Sequence, residues 1–274
     1  MIKRKLLKTV LIITLGLTLI SCGNKTQNTN SNEDKISTEN VNISSDSKNE
    51  DETKKLEENS VQADQGVDGM IKEEDGTKII NYMQEHLGEF NGTISEIIPG
   101  SKVSIDINII NPTPERNYIT LITSGMSEYP MEYVNGEYKY AELIIKLPHD
   151  WKLDEESCKD EENYWPIRML RLIGHLPHLN SGYINEEVIV PHGEPDEPPY
   201  PFTEETWLSS LMLCKAEDIP PYVFEDGAKI DFFTLVPITI DEEPLVQEEG
   251  SNNVMHMLPS KDVVDLNRDY LIEE

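Results

Sequence analysis

Apolar residues recur along this chain in two periods. Ile79, Ile80, Met83 and Leu87 fall on one helical face, with Asp75-Gly76-Thr77 as a candidate N-cap and Gly88 as a stop. From Lys102 the period shortens to two: Val103, Ile105, Ile107 and Ile109 alternate with Ser104, Asp106 and Asn108, which predicts a half-buried strand ended by Pro112 and Pro114. Tyr118 to Thr123 reads as a second strand. Asn135-Gly136, between Met131–Val134 and Tyr138–Leu147, is a strong hairpin signal. Ala141 to Leu147 is nearly all apolar, as expected of a central strand covered on both faces. Trp165, Met169, Leu172 and Leu176 return to helical spacing from about Asn163, with Pro166 in the first turn and Pro177 at the close. Val188–Val190 is a short strand before a proline-rich loop. Thr203–Leu213 fits either a helix or a strand, Ile230–Ile240 reads as a strand, and Lys261–Tyr270 as a terminal helix. Hairpins mixed with helices predict an α+β fold: a mixed, mostly antiparallel sheet with packed helices.

The first 65 residues follow neither period. Lys3, Arg4, Lys5 and Lys8 precede an uncharged apolar run from Thr9 to Ile20, then Ser21-Cys22. That order predicts a lipoprotein signal peptide over 1–21, with Cys22 acylated and left as the new N-terminus. The run is too short to span a bilayer, which needs about 20 apolar residues. Residues 22–65 are Asn, Ser, Thr, Asp, Glu, Lys and Gln with scattered aliphatics and no aromatic. Such a segment cannot bury enough apolar surface to offset the entropy of ordering, so it reads as an acidic, disordered tether. Its reach is on the order of 35 Å, enough to lift a globular domain at 66–274 clear of lipid headgroups. Gly23 is not the aspartate that retains lipoproteins at an inner membrane. The Asn-, Ile- and Lys-rich style suggests a single-membrane cell, and the expected location is the extracytoplasmic face of the cell membrane.

Charge narrows the partners. The chain carries 52 acidic and 23 basic residues, a net −29, and residues 66–274 hold 42 and 14 of them. Such a field repels nucleic acid and anionic lipid. It suits solubility in a cation-rich exterior, or the capture of a basic protein. With Cys22 lipidated, Cys158 and Cys214 remain; they could close one bridge, but two cysteines are no framework.

Candidate chemistry is sparse. His175, His178, His192 and Glu194 could supply zinc ligands, but Pro177 interrupts the pair, and partly buried histidines are the better reading. Thr123-Ser124-Gly125-Met126-Ser127 has hydroxyls after a strand but neither a nucleophile elbow nor a phosphate-loop lysine; it reads as a structural turn. The pairs Glu155/Glu156, Glu161/Glu162, Glu204/Glu205 and Glu242/Glu243 could hide hydrolytic carboxylates, but adjacent acids in an acid-rich chain are first a solvated face.

Several of these segments in succession resemble the suppressor-of-fused domain family. They are Thr123 through Ser127 with Ser124, Gly125 and Met126; Glu142-Leu143 leading to Leu147-Pro148 and Trp151; Trp165-Pro166-Ile167-Arg168 with Leu170-Arg171; Pro237-Ile238; and Asp265 with Arg268. Their order runs through roughly 77–270. Read physically, Pro148 and Trp151 would end the central strand and cover the sheet edge with an indole, and Trp165 would anchor the helix on the sheet. Arg168 and Arg171 stand out in a domain with few cations and would pair with carboxylates of the same domain, or else mark a binding cleft.

The resemblance implies a non-enzymatic, protein-binding domain without catalytic residues, metal or cofactor. The family's animal member resembles this domain in its N-terminal part and binds a transcription-factor peptide in a cleft against a second domain. Bacterial relatives are proposed to be immunity proteins that neutralise toxins. The export signal sets the signalling role aside. The expected function is therefore a membrane-anchored lipoprotein that binds another protein through an exposed sheet edge, in its most specific version an immunity protein against a basic toxin. The alternative is a secreted hydrolase or carbohydrate-active lipoprotein using acidic residues.

Overall fold

The computed structural model of the protein describes residues 69–271, apart from positions 136, 180, 181 and 195. The leader, Cys22 and the tether lie outside the described residues. None of the described helices is long and apolar enough to cross a membrane.

Helix α1 spans Glu73–Leu87 and ends at Gly88, whose φ of 108° suits glycine. It starts earlier than expected: the amides of Asp75 and Gly76 donate to the Lys72 carbonyl, so Asp75-Gly76-Thr77 lies inside the first turn. Strands β1 (Gly92–Ile94), β2 (Asp106–Ile110), β3 (Tyr118–Ser124), β4 (Tyr133–Val134) and β5 (Glu137–Pro148) follow. Val103 and Ile105 are buried as the alternation predicts, but the ladder begins only at Asp106. Helix α2 (Glu161–Leu179) leads to β6 (Ile189–Pro191), β7 (Ser210–Lys215), β8 (Tyr222–Val223) and β9 (Lys229–Ile238), and α3 (Glu243–Glu249) and α4 (Ser251–Met257) complete the order. The ambiguous Thr203–Leu213 segment resolves as strand from Ser210 onward.

The nine strands form one sheet in the order β1-β2-β3-β5-β9-β7-β6, with β4 paired to β5 and β8 to β9. Every pairing is antiparallel except β5 with β9, so the sheet is mixed and mostly antiparallel. Strand β5 is central and buried on both faces. Its Leu143, Ile145 and Leu147 face α2 with Leu121, Leu213 and Leu235. Tyr140 and Ile144 face the other way, toward α1. Helices α3 and α4 pack on that second face over Met212, Cys214, Val236 and Ile238. Each fully buried aliphatic in these layers contributes about 1.5–3 kcal/mol.

Two predicted elements differ. Helix α2 begins at Glu161 and runs past Pro177 to Leu179, which puts Pro166 in its second turn. Pro177 removes one hydrogen bond so near the end that the last turn survives. Lys261–Tyr270 is not a helix but a succession of turns. Lys261 takes φ 53°, the Val264 amide donates to the Lys146 carbonyl of β5, and Asp265 Oδ1 accepts from the Asn267 amide. Side-chain bonds of this kind compete with a helix. The C-terminal helices lie earlier, at α3 and α4, divided by Gly250 at φ 86°.

Candidate functional site

The motif residues occupy several separate places. At the end of β3, Ser124 Oγ accepts from Asn108 Nδ2 at 2.9 Å. Gly125 turns the chain at φ 101°, where a Cβ would collide with the Ser104 carbonyl oxygen. That lets Met126 bury fully beneath α2 and brings Ser127 back to the sheet. There the fully buried Glu142 carboxyl accepts from Thr123 Oγ1 and Ser127 Oγ, each at 2.6 Å, and from the Ser127 amide at 2.9 Å. Burial pushes its pKa up, and these donors pull against that. Thr123 Oγ1 also accepts the Leu143 amide at 2.8 Å, just beyond the last β3–β5 pairing at Ile122 and Ile144. The turn is thereby tied to β5 through Glu142 and the Leu143 amide.

At the opposite end of β5, Leu147 is core and Pro148 pairs with Tyr118. Trp151 does not cover a sheet edge, because β5 lies inside the sheet. Its Nε1 donates to the Asn163 carbonyl at 3.0 Å and its ring meets Trp165 edge-on at 6.0 Å. Trp165, fully buried, stacks on Phe202 at 4.3 Å, Phe202 on His192 at 4.7 Å, and His192 meets Tyr200 at 4.3 Å. This row of rings fastens the proline-rich loop to α2. Trp151, Pro148 and Asp265 also line an open cleft of about 510 Å³.

The two arginines of α2 divide. Arg168 Nε bonds Glu161 Oε1 at 2.5 Å, and its Nη2 donates to His192 Nε2 at 2.8 Å. Among the described residues Arg171 meets no carboxylate: its Nη2 donates to the Ile94 carbonyl of edge strand β1 at 2.9 Å. Arg268 forks onto Glu242, with Nη1 on Oε1 at 2.9 Å and Nη2 on Oε2 at 2.5 Å, and its Nη2 also reaches the Pro237 carbonyl at 3.3 Å. Burial alone would raise the Glu242 pKa, but Arg268 and the Leu271 and Thr239 amides outweigh it and hold the carboxyl below its ordinary value. Asp265 instead holds its own turn.

The histidines do not converge on a metal; among the described residues no group of three or more His, Cys, Asp or Glu is placed to hold one. His175 pairs with Glu96 at 2.7 Å. His178 Nε2 donates to the Met126 carbonyl, and burial pushes its pKa down to about 4. His192 donates through Nδ1 to the Tyr200 carbonyl at 2.8 Å. Cys158 and Cys214 are both free thiols, raised by burial. Of the acidic pairs, 155/156, 161/162 and 204/205 are exposed.

Sequence reasoning missed Lys146. It is buried on β5, bonded to Asp218 Oδ2 at 2.7 Å and Asp262 Oδ2 at 2.5 Å, and lies 5.2 Å from the Tyr118 ring centre. Burial would lower its pKa, but the two carboxylates raise it above the ordinary value. A lysine within an otherwise apolar central strand was the available signal.

Neither end of the sheet offers a long open edge. Strand β1 has three residues and its Ile94 carbonyl is taken by Arg171; β6 also has three and ends in Pro191. Beside β6 lies a groove of about 690 Å³ between the 182–189 segment and the α3–α4 junction. Glu132, Glu186, Glu187, Glu248 and Glu249 line it, with Lys215 bonded to Glu186 at 2.7 Å. It is the larger of the two clefts and carries a strong excess of one charge.

The family model described as Suppressor of fused protein (SUFU) matches residues 101–269, and the chain belongs to that family. Three solved structures are similar to it. A structure described as a SUFU homolog from Neisseria gonorrhoeae FA 1090 is 12% identical with a TM-score of 0.49, over 73% of this chain and 97% of that one. The Sufu-Fu complex matches at 14% identity and a TM-score of 0.49, over 70% of this chain and 90% of that one. Drosophila Suppressor of Fused matches at 14% and 0.48, over 71% of this chain and 50% of its own. No curated protein matches the sequence.

Proposed function

We propose that this chain is a lipid-anchored, non-enzymatic binding protein whose suppressor-of-fused domain captures a basic protein at the outer face of the cell membrane. Its most specific form is an immunity protein that neutralises a toxin. The observation that carries this reading is the glutamate-lined groove beside β6. A concave surface of one charge sign focuses the field and steers a cationic partner. The three-residue edge strands favour this groove over strand addition as the docking place.

The test is a pull-down with the mature chain from residue 22 against envelope and secreted proteins of the producing strain, across a salt series. One dominant basic partner, bound stoichiometrically, weakened by salt and lost with Glu248→Lys/Glu249→Lys, is the expected outcome. Both substitutions lie on the exposed surface, so folding is not at stake. No partner at low salt, or one indifferent to salt and to the charge reversal, sinks the reading.

A further inference from the structure

We infer that the end of the domain where the described chain begins is a lipid-contacting surface, on which Ile97 and Ile98 enter a zwitterionic bilayer and orient the domain. Ile97 is 94% exposed and Ile98 84%. Two adjacent isoleucines left almost wholly in water are costly unless something covers them.

Their exposure is enforced by the loop that carries them. The Glu96 amide donates to Asp106 Oδ1 at 3.0 Å, while the Glu96 carboxylate accepts the Ile105 amide at 2.9 Å and meets His175 at 2.7 Å. On the far side, Pro99 stiffens the chain and Gly100 presses on the His175 ring, where a Cβ would come within 2.7 Å. The tip between these braces is held outward before anything binds, which lowers the ordering cost of insertion.

The loop shares its end of the molecule with the start of the described chain. Lys102 Nζ lies 5.1 Å from the Tyr129 ring centre, and the neighbouring Glu128 carbonyl accepts the Ile71 amide at 3.0 Å. Tyr129 also meets His178 at 6.1 Å, next to Leu179 at the end of α2. Met70, 47% exposed, and Leu179, 61% exposed, therefore join Ile97 and Ile98 there. Those four are among nine large exposed hydrophobics on the described residues, so the concentration at one end is marked.

Gly69 follows Cys22 by 46 intervening residues, so an acylated Cys22 would keep this end within reach of a bilayer. Lys102 lies there over Tyr129, and Lys72 follows Ile71, whose amide bonds Glu128, so residues of both charge signs border the tip, which suits zwitterionic headgroups. The acidic body opposes anionic lipid, and it equally opposes a second copy of the chain. The inference rests on the lipid-anchored reading. That reading has its own check: the mass of the chain extracted from producing membranes either carries the acyl groups or does not.

The test of the surface bypasses acylation. The chain from residue 22, with an N-terminal hexahistidine, is held on phosphatidylcholine vesicles by nickel-chelating lipid and followed by hydrogen exchange. Amides of 97, 98, 100 and 101 should exchange at least about threefold more slowly than in solution, those of 149–152 at the opposite end of β5 should not change, and Ile97→Ser/Ile98→Ser should abolish the slowing. Unchanged exchange at 97–101 overturns the inference and leaves a protein pocket as the occupant of the tip. Slowing that persists in the double variant, or that spreads evenly over the domain, overturns it as well.

Discussion

Glu142 places a titrating group where the fold has no water to offer. Burial raises its pKa despite the donors from Ser127 and Thr123. A carboxyl raised in this way contributes stability that is whole below the unfolded pKa and is lost as pH rises through the folded one. Glu142→Gln keeps the side-chain shape and removes the titration, and the Thr123 and Ser127 hydroxyls can rotate to accept its amide protons. The variant should match the parent near about pH 5 and melt higher near about pH 8, by roughly 2–4 °C for each kcal/mol in a domain of this size. Thermal melts over that range decide the matter: parallel curves for the two proteins would mean that Glu142 is ionised at no cost.

At the level of elements, the sequence disclosed the periodic parts and concealed those held by distant partners. Strands β2, β3, β5 and β9 and helices α1 and α2 announce themselves by spacing, because each buries its own repeating apolar set. The segment after Leu258 has a helical look, but its conformation is set elsewhere: Val264 by the β5 backbone, Arg268 by Glu242. The motif residues were visible as a succession, yet nothing in their spacing tells that Glu142 closes a turn or that Arg171 reaches a strand carbonyl. The acidic groove was less legible still, since residues 132, 186–187 and 248–249 meet only through the fold. Arg268 makes the consequence measurable. Arg268→Ala leaves the Glu242 carboxylate buried without its cation, at a cost of about 3–5 kcal/mol. Urea unfolding should show that loss, and replacing both partners by apolar residues, Arg268→Met with Glu242→Leu, should recover most of it. If Arg268→Ala unfolds at the parent's midpoint, the pair is not holding the C-terminus.

Over the whole molecule, repulsion among 42 acids against 14 bases works against compactness. Monovalent salt should therefore stabilise the protein, raising its melting temperature by roughly 3–6 °C between about 0.02 M and about 0.5 M as the Debye length shrinks. A melting temperature that falls with salt would show instead that paired charges such as Lys146 with Asp218 and Asp262 dominate. The parallel pairing at the centre of the sheet has a consequence of another kind. Ala141 lies opposite Asp231, so the middle strand, paired early with β3, acquires its second neighbour only after some ninety intervening residues have been made. Contacts so distant along the chain close late and slowly. Strands β1, β2, β3 and β5 can pair with one another as they are made, but one side of β5 stays uncovered until β9 has been synthesised. For the exported protein proposed above, that delay is an asset. A translocation channel accepts an unfolded thread, and in an exported chain this order of strands would postpone completion of the sheet until β9 had passed.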